Sequence, residues 1–244
     1  IIFLVLLIRT LLIPVFVKQI KSQRAMQALQ PDLRKLQAKY KGKTDQLSRQ
    51  AMVQEQQALF KKHKTNPLSS CLPLLVQMPF FFALFRVLNE ASRASDDGRS
   101  IGALSAEHIR SFDGSTILGA PLSETFLGTI NSGAINWAVI IVAVVMILAM
   151  TASQFFTQRQ LMTKNMSQEA LQGPFMQQQK MMLYILPLVF GIGGINFPIG
   201  VLIYWTASNL WTLGQQFWVI RNNPTPGSEA ERELNARRAA KGLP

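Results

Sequence analysis

Arg9 is the first residue of the chain that could do chemistry, because of its setting. It lies inside an apolar run, Ile1 to Val17, that ends at Lys18. Counted back from Lys18 it sits about nine residues deep, or about 13 Å at about 1.5 Å per helical residue, in a hydrocarbon core of about 30 Å. A charge near mid-membrane costs about 2.5–3.5 kcal/mol on insertion scales. The usual remedy is a buried carboxylate, yet none of the apolar segments of this chain holds an Asp or a Glu. Arg9 must therefore snorkel, sit in water, or face a group supplied from outside. Intramembrane ionisable residues are functional by default; the competing account is an arginine bonded to backbone carbonyls. Arg86 lies near the end of its own segment, where snorkelling is easy, and is given no role.

Other polar residues repeat on helix faces. Trp205, Ser208, Asn209, Thr212 and Gln216 follow spacings of three and four, which is one helix face. Thr151, Gln154 and Gln158 do the same in another apolar segment, and Gln77 is the main polar residue of a third. Such residues could simply hydrogen-bond between helices, at about 0.6 kcal/mol each. Agreement among four segments favours a shared wet pocket. Enzyme templates fit poorly: no acid pair, His-rich motif or Gly-rich phosphate loop lies in or beside these segments. Both histidines, His63 and His108, fall in loops, so a serine nucleophile has no base. The single cysteine, Cys71, excludes an internal disulfide and a cysteine-built zinc site. No catalytic residue, metal or cofactor is expected.

These residues need elements that span a membrane. The chain has 244 residues, 48% hydrophobic and 16% charged, with mean hydropathy +0.17 and a net charge of +12. A soluble domain carries about 25% charged residues. An apolar and basic chain suits a membrane protein with basic inner loops better than a nucleic-acid binder, and no specific nucleic acid is expected as partner. Five segments approach the roughly 20 apolar residues of a span: about 1–17, 70–88, 133–156, 180–194 and 199–220. Between them lie segments that alternate in charge. Residues 18–66 are strongly basic, 89–127 acidic, 157–180 basic, the turn 195–198 neutral, and the end from Arg221 basic. By the positive-inside rule, 18–66, 157–180 and the C-terminus are cytoplasmic, while Ile1, 89–127 and 195–198 face outward. The polar faces then fall in the cytoplasmic half and the outer half is apolar. The chain opens on Ile1 rather than Met, inside an apolar run with no basic stretch before it, which reads as a processed chain or fragment rather than a signal peptide.

The segment 18–66 has helical structure of its own. Met26, Leu29, Leu33, Leu36 and Tyr40 form one apolar face, Gly42 breaks it, and Thr44 and Asp45 can cap a second helix to about Lys62. This predicts a basic helical hairpin, either a solvated or headgroup-associated element or a platform for a partner. The segment 89–127 lacks periodicity and is expected to be a loosely ordered connection, with at most a short surface helix. The tail, 222–244, is expected to be disordered or marginally helical.

Several strings resemble the YidC family of bacterial membrane protein insertases, relatives of the mitochondrial Oxa and chloroplast Albino insertases. Ile8-Arg9 followed by Pro14 is similar to the family's groove-arginine helix. The run Asn66-Pro67-Leu68-Ser69-Ser70-Cys71-Leu72-Pro73-Leu74-Leu75-Val76-Gln77-Met78-Pro79 is similar to its second-span signature. Phe197-Pro198-Ile199-Gly200, Tyr204-Trp205, Ser208-Asn209-Leu210 and Gln215-Gln216 are similar to its last span. The resemblance runs from Ile1 to about Arg221. Ser69-Ser70 stand where many members carry two glycines, and Arg86 where many carry an aromatic residue.

The resemblance implies an all-α, multi-pass protein of the bacterial plasma membrane, with five spans around a hydrophilic groove open to the cytoplasm and to lipid, plus a cytoplasmic helical hairpin. It implies that Arg9 is the groove arginine, that Tyr204 and Trp205 contact the substrate helix, and that Gln158, and less directly Gln154, lines the groove. The implied partners are nascent membrane proteins and the lipid bilayer, alone or with the Sec translocon. Residues 18–66 and the tail are candidate docking sites for a ribosome or targeting receptor. Two rivals stand beside this reading: a small anion transporter that binds through Arg9, and a purely structural subunit in which Arg9→Ala is silent.

Overall fold

A computed structural model describes residues 1–63, 65–66, 72–166 and 174–242. Residues 67–71 of the second-span string, and residues 167–173 of the loop 157–180, lie outside them. The described chain is predominantly helical: α1 Ile2–Leu11, α2 Ile13–Ala28, α3 Gln30–Lys39, α4 Gln46–Lys62, α5 Leu72–Asp96, α6 Ala106–Asp113, α7 Phe126–Asn131, α8 Trp137–Lys164, α9 Pro174–Gly193, α10 Ile199–Asn222 and α11 Glu229–Ala239. A short β-hairpin pairs β1, Thr116–Ile117, with β2, Ala120–Pro121. The chain divides into two compact units. One comprises Ile1–Leu11, Val76–Thr157 and Met182–Gly214; the other comprises Leu12–Leu75, Gln158–Met181 and Gln215–Pro244.

The core of the first unit is apolar. Val139, Val142 and Ala143 of α8 pack with Ile199, Leu202 and Ile203 of α10 and with Ala120 of β2. Helix α8 starts at Trp137 because Asn136 caps it: Asn136 Oδ1 accepts from the Ala138 amide at 3.0 Å. Helix α10 starts differently. The Ile199 and Gly200 amides, which a helix start leaves without intrahelical partners, donate to the Glu124 and Leu122 carbonyls, both at 2.9 Å. Gly200 allows this close approach. A Cβ there would lie 2.7 Å from Leu88 Cδ2 and 3.3 Å from Ile1 Cδ1.

Segment 89–127, expected to be loosely ordered, is folded. Helix α5 continues to Asp96, Ser105 caps α6, and Thr125 caps α7. The sequence shows no period here because the elements are short and are held by caps and by α10 rather than by long apolar faces. The first apolar segment also differs from one continuous helix, breaking at Leu12 between α1 and α2. Pro14 explains the break: it lacks an amide and its ring clashes with the carbonyl four residues back, yet it is well accommodated in the first turn of α2. Among the described residues, Trp137–Lys164 alone is both long and apolar enough to cross a membrane as a single helix. Ile2–Leu11 taken with Ile13–Met26 reaches that standard as a pair, and Lys180–Asn196 is apolar but shorter.

In the second unit α3 and α4 pack on each other. Leu29, Leu33 and Leu36 are buried, as the spacing requires. Asp45 caps α4, accepting from the Ser48 amide at 2.8 Å. Asp32 lies 3.6 Å from His63, and Lys39 lies 2.6 Å from Glu55, so α4 runs back along α3. The Tyr40 hydroxyl also donates to Glu55, at 2.8 Å. These two bonds hold the Glu55 carboxyl below the usual carboxylate range.

The tail, expected to be disordered or marginally helical, folds as α11. Ser228 is fully buried at its N-cap and accepts from the Glu231 amide at 3.3 Å, while Glu231 accepts from the Gly227 amide at 2.7 Å. Asn165 Oδ1 accepts from the Thr225 amide at 2.9 Å, Arg24 donates to the Asn223 carbonyl, and Lys164 reaches Glu229 at 2.7 Å and Glu233 at 2.6 Å. Composition concealed this, because the helix is held by contacts with residues distant in sequence.

The Lys164 bond holds the Glu229 carboxyl below its usual range, and the two carboxylates push Lys164 upward. A depressed carboxylate stabilises the fold above its unfolded pKa and loses that contribution as pH falls through its folded value; a raised lysine loses its own as pH climbs through its folded value. Exchange protection of the α11 amides, corrected for intrinsic rates, should therefore be greatest near neutrality and fall in acid and in strong alkali. Lys164→Met should flatten this profile. Because the pair is half-exposed, added salt should also weaken it.

Candidate functional site

Four of the residues singled out by the sequence meet around one hydroxyl. Tyr204, on the second turn of α10, is 4% exposed. Its hydroxyl accepts a hydrogen bond from Gln77 Nε2 of α5. Ser208, one turn further along α10, is buried on the same side, and its Oγ has no hydrogen-bond partner among the described residues. Arg9 of α1 lies within electrostatic range of it. On α1, Val5 and Ile8 are buried, and Arg9 follows at the edge of that buried face. Its Nε is buried with no protein hydrogen-bond partner. A guanidinium, an amide and two hydroxyls thus converge from three helices, a donor-rich set with no carboxylate in it.

Trp205, the next residue, enters an aromatic cluster. Its ring lies 4.8 Å from Phe190, 5.1 Å from Phe81 and 5.5 Å from Phe197. Phe85 extends the cluster, 5.8 Å from Phe81 and 6.0 Å from Phe197. Aromatic pairs of this kind add about 0.5–1.5 kcal/mol each beyond area burial, so Trp205 is an internal anchor for α5, α9 and α10. Asn209 is half-buried and donates to the Met150 carbonyl at 3.4 Å; Thr206 donates to the Met146 carbonyl at the same distance. These bonds tie α10 to α8. Gln154 is half-buried one turn beyond Met150. Gln158 belongs to the second unit and is not part of the Tyr204 cluster.

Residues 1–226 match the family described as 60Kd inner membrane protein. The chain belongs to that family. Similar members include the Membrane protein insertase YidC of Streptomyces avermitilis, 51% identical over 235 residues, which are 95% of this chain and 53% of that protein. Another is the Membrane protein insertase YidC of Tropheryma whipplei, 45% identical, covering 93% of this chain and 74% of that protein. The Membrane protein insertase MisCA of Bacillus subtilis is 34% identical over 93% of this chain and 72% of its own length. The chain thus spans about half the length of the Streptomyces relative and about three quarters of the other two.

Several residues that shape this family member's site escaped the sequence reading. Phe81, Phe190 and Phe197 frame Trp205, yet Phe81 stands in the run Phe80-Phe81-Phe82, where nothing marks which ring turns inward; Phe80 and Phe82 are exposed. Thr206 is buried against α8 but lies off the polar face that the spacing picks out. Gly191 carries no polar signal, yet a Cβ there would come within 3.0 Å of Thr151 Oγ1.

The Gln77–Tyr204 bond can be tested by a double-mutant cycle. Tyr204→Phe strands the half-buried Gln77 amide and should lower stability by about 1–3 kcal/mol. Gln77→Leu alone should cost about as much. The double variant should recover part of the loss, giving a coupling energy of about 0.5–3 kcal/mol in thermal unfolding of the detergent-solubilised protein. Additive losses would show that the bond contributes nothing.

Proposed function

We propose that the chain acts as a membrane protein insertase, receiving transmembrane segments of nascent proteins and releasing them into the bilayer without covalent chemistry. The observation that carries this reading is the Arg9–Tyr204–Gln77–Ser208 cluster: a donor-rich set among apolar helices, with no internal carboxylate. Membership of a family whose curated relatives are named insertases supports it.

In this reading the five apolar segments, 1–17, 70–88, 133–156, 180–194 and 199–220, span the membrane. Arg9, Gln77, Gln154, Tyr204, Trp205, Ser208 and Asn209 serve a groove open to the cytoplasm, with Ile1 outside and the C-terminus inside. The groove shortens the low-dielectric path for a substrate's polar outer segment. Arg9 attracts acidic residues in that segment, because charges interact more strongly where water is scarce. The substrate's apolar helix then partitions into lipid, driven by roughly 25 cal/mol per Å² of apolar area buried. The membrane potential adds about 2.3 kcal/mol per charge per 100 mV for an acidic outer segment. The basic α3–α4 pair, with the tail, offers a docking surface for a ribosome or targeting receptor, and larger substrates arrive with the Sec translocon.

Insertion of a small single-span protein with an acidic outer tail into proteoliposomes tests the reading. Wild type should insert, Arg9→Lys should retain partial activity, and Arg9→Ala should fail. Full activity of Arg9→Ala would remove the role given to Arg9. No insertion above protein-free liposomes, together with small-anion counterflow, would favour the transporter.

A further inference from the structure

We infer that the tip of the β1–β2 hairpin is a lipid contact, with Leu118 entering the headgroup and upper acyl region beside Trp137. The loop between the strands is Leu118-Gly119, with φ of +50° and +82°. Two-residue turns of this hand favour Asn-Gly, because a side chain in the left-handed region is strained. A leucine fills the asparagine's place, and it is 85% exposed, more than any other large apolar residue of the described chain. A residue both strained and solvated in water, where a polar one would suit the turn better, marks a place where function overrides local preference.

The hairpin's packing says what surrounds the leucine. Ala120 is fully buried in the core with Val139 and Val142, and Ile117 packs against the same cluster. A Cβ at Gly119 would lie 3.5 Å from Ala138 Cβ, so the turn rests on the first turn of α8. Among the described residues, helix α8 is the single helix both long and apolar enough to span. Its first residue, Trp137, is 67% exposed, and Ile135 just before it is also exposed. Tryptophan at the end of a spanning helix marks the headgroup level. Leu118 is thus held beside the first turn of α8, whose Trp137, Ile141, Val144, Val145 and Leu148 form one exposed apolar face. Lipid is the occupant that this face identifies. The inference rests on the membrane reading above and adds a role for a segment to which the sequence assigned no chemistry.

Site-directed fluorescence tests it in the full chain, in a Cys71→Ser background. A bimane label is placed at Leu118→Cys, with Leu148→Cys as the lipid-facing control and Leu47→Cys, exposed on α4, as the aqueous control. Vesicles of phosphatidylcholine and phosphatidylglycerol carry a spin label high on the acyl chain or near its end, and iodide is the aqueous quencher. The Leu118 label should be quenched most by the shallow lipid label and be several-fold less accessible to iodide than the Leu47 label. Lipid quenching at Leu148 with iodide quenching at Leu118 would overturn the inference while leaving the membrane reading intact. Absence of lipid quenching at both sites would overturn the membrane reading itself. Shielding of Leu118 from lipid and iodide alike would mean a protein contact, and would overturn the inference as well.

Discussion

A guanidinium set among hydrocarbon side chains, with no carboxylate to meet it, is the constraint around which the first unit is organised. Burying a charge without partners is costly, and α1 supplies only apolar neighbours at Val5 and Ile8. The polar company comes from elsewhere. Gln77 arrives from α5, Tyr204 and Ser208 from α10. Each of these has its own cost of burial, and the Gln77–Tyr204 bond offsets part of it. The resulting set is rich in donors and poor in anions. That imbalance is tolerable only if acidic groups or water reach it from outside, which links the electrostatics of the fold to the traffic proposed through it.

Helix α10 shows how sharply polar and apolar regions are divided. From Ile199 to Ile203 every side chain beyond Gly200 is apolar and buried in the core with α8. From Tyr204 onward the hydroxyls and amides appear, and two of them, on Thr206 and Asn209, bond to carbonyls of α8. The division is maintained by close approach: Gly200 lies against Leu88 and Ile1, and Gly194 lies against Ile147. A side chain at either position would wedge apart helices whose contact keeps the apolar end dry.

How much of this could be read from sequence depends on whether the signal was local. The apolar stripe of α3 and the Asp45 cap of α4 were legible because each is set by residues a few positions apart. The break at Leu12 was available in Pro14 but was outweighed by the apolar run around it. The folded state of 89–127 and of the tail was not legible. Their stability comes from partners far along the chain: Ile199 and Gly200 for one, Asn165 and Lys164 for the other. The aromatic frame of Trp205 was hidden for a different reason. A run of three phenylalanines has no period, so only tertiary packing decides which ring turns inward.

The backbone bonds at the start of α10 give segment 115–125 a consequence beyond its own folding. Because Ile199 and Gly200 donate to Glu124 and Leu122 rather than to water, the first turn of α10 can be buried without unsatisfied amides. The residues that follow it can then be wholly apolar. Had those amides needed water, the Trp137 end of the core would have been wet. The dry, apolar end of this core therefore depends on two loop carbonyls. The loop that supplies them is also the one whose hairpin presents Leu118 beside the first turn of α8, so the same segment that closes the core has the geometry to rest on the surrounding lipid.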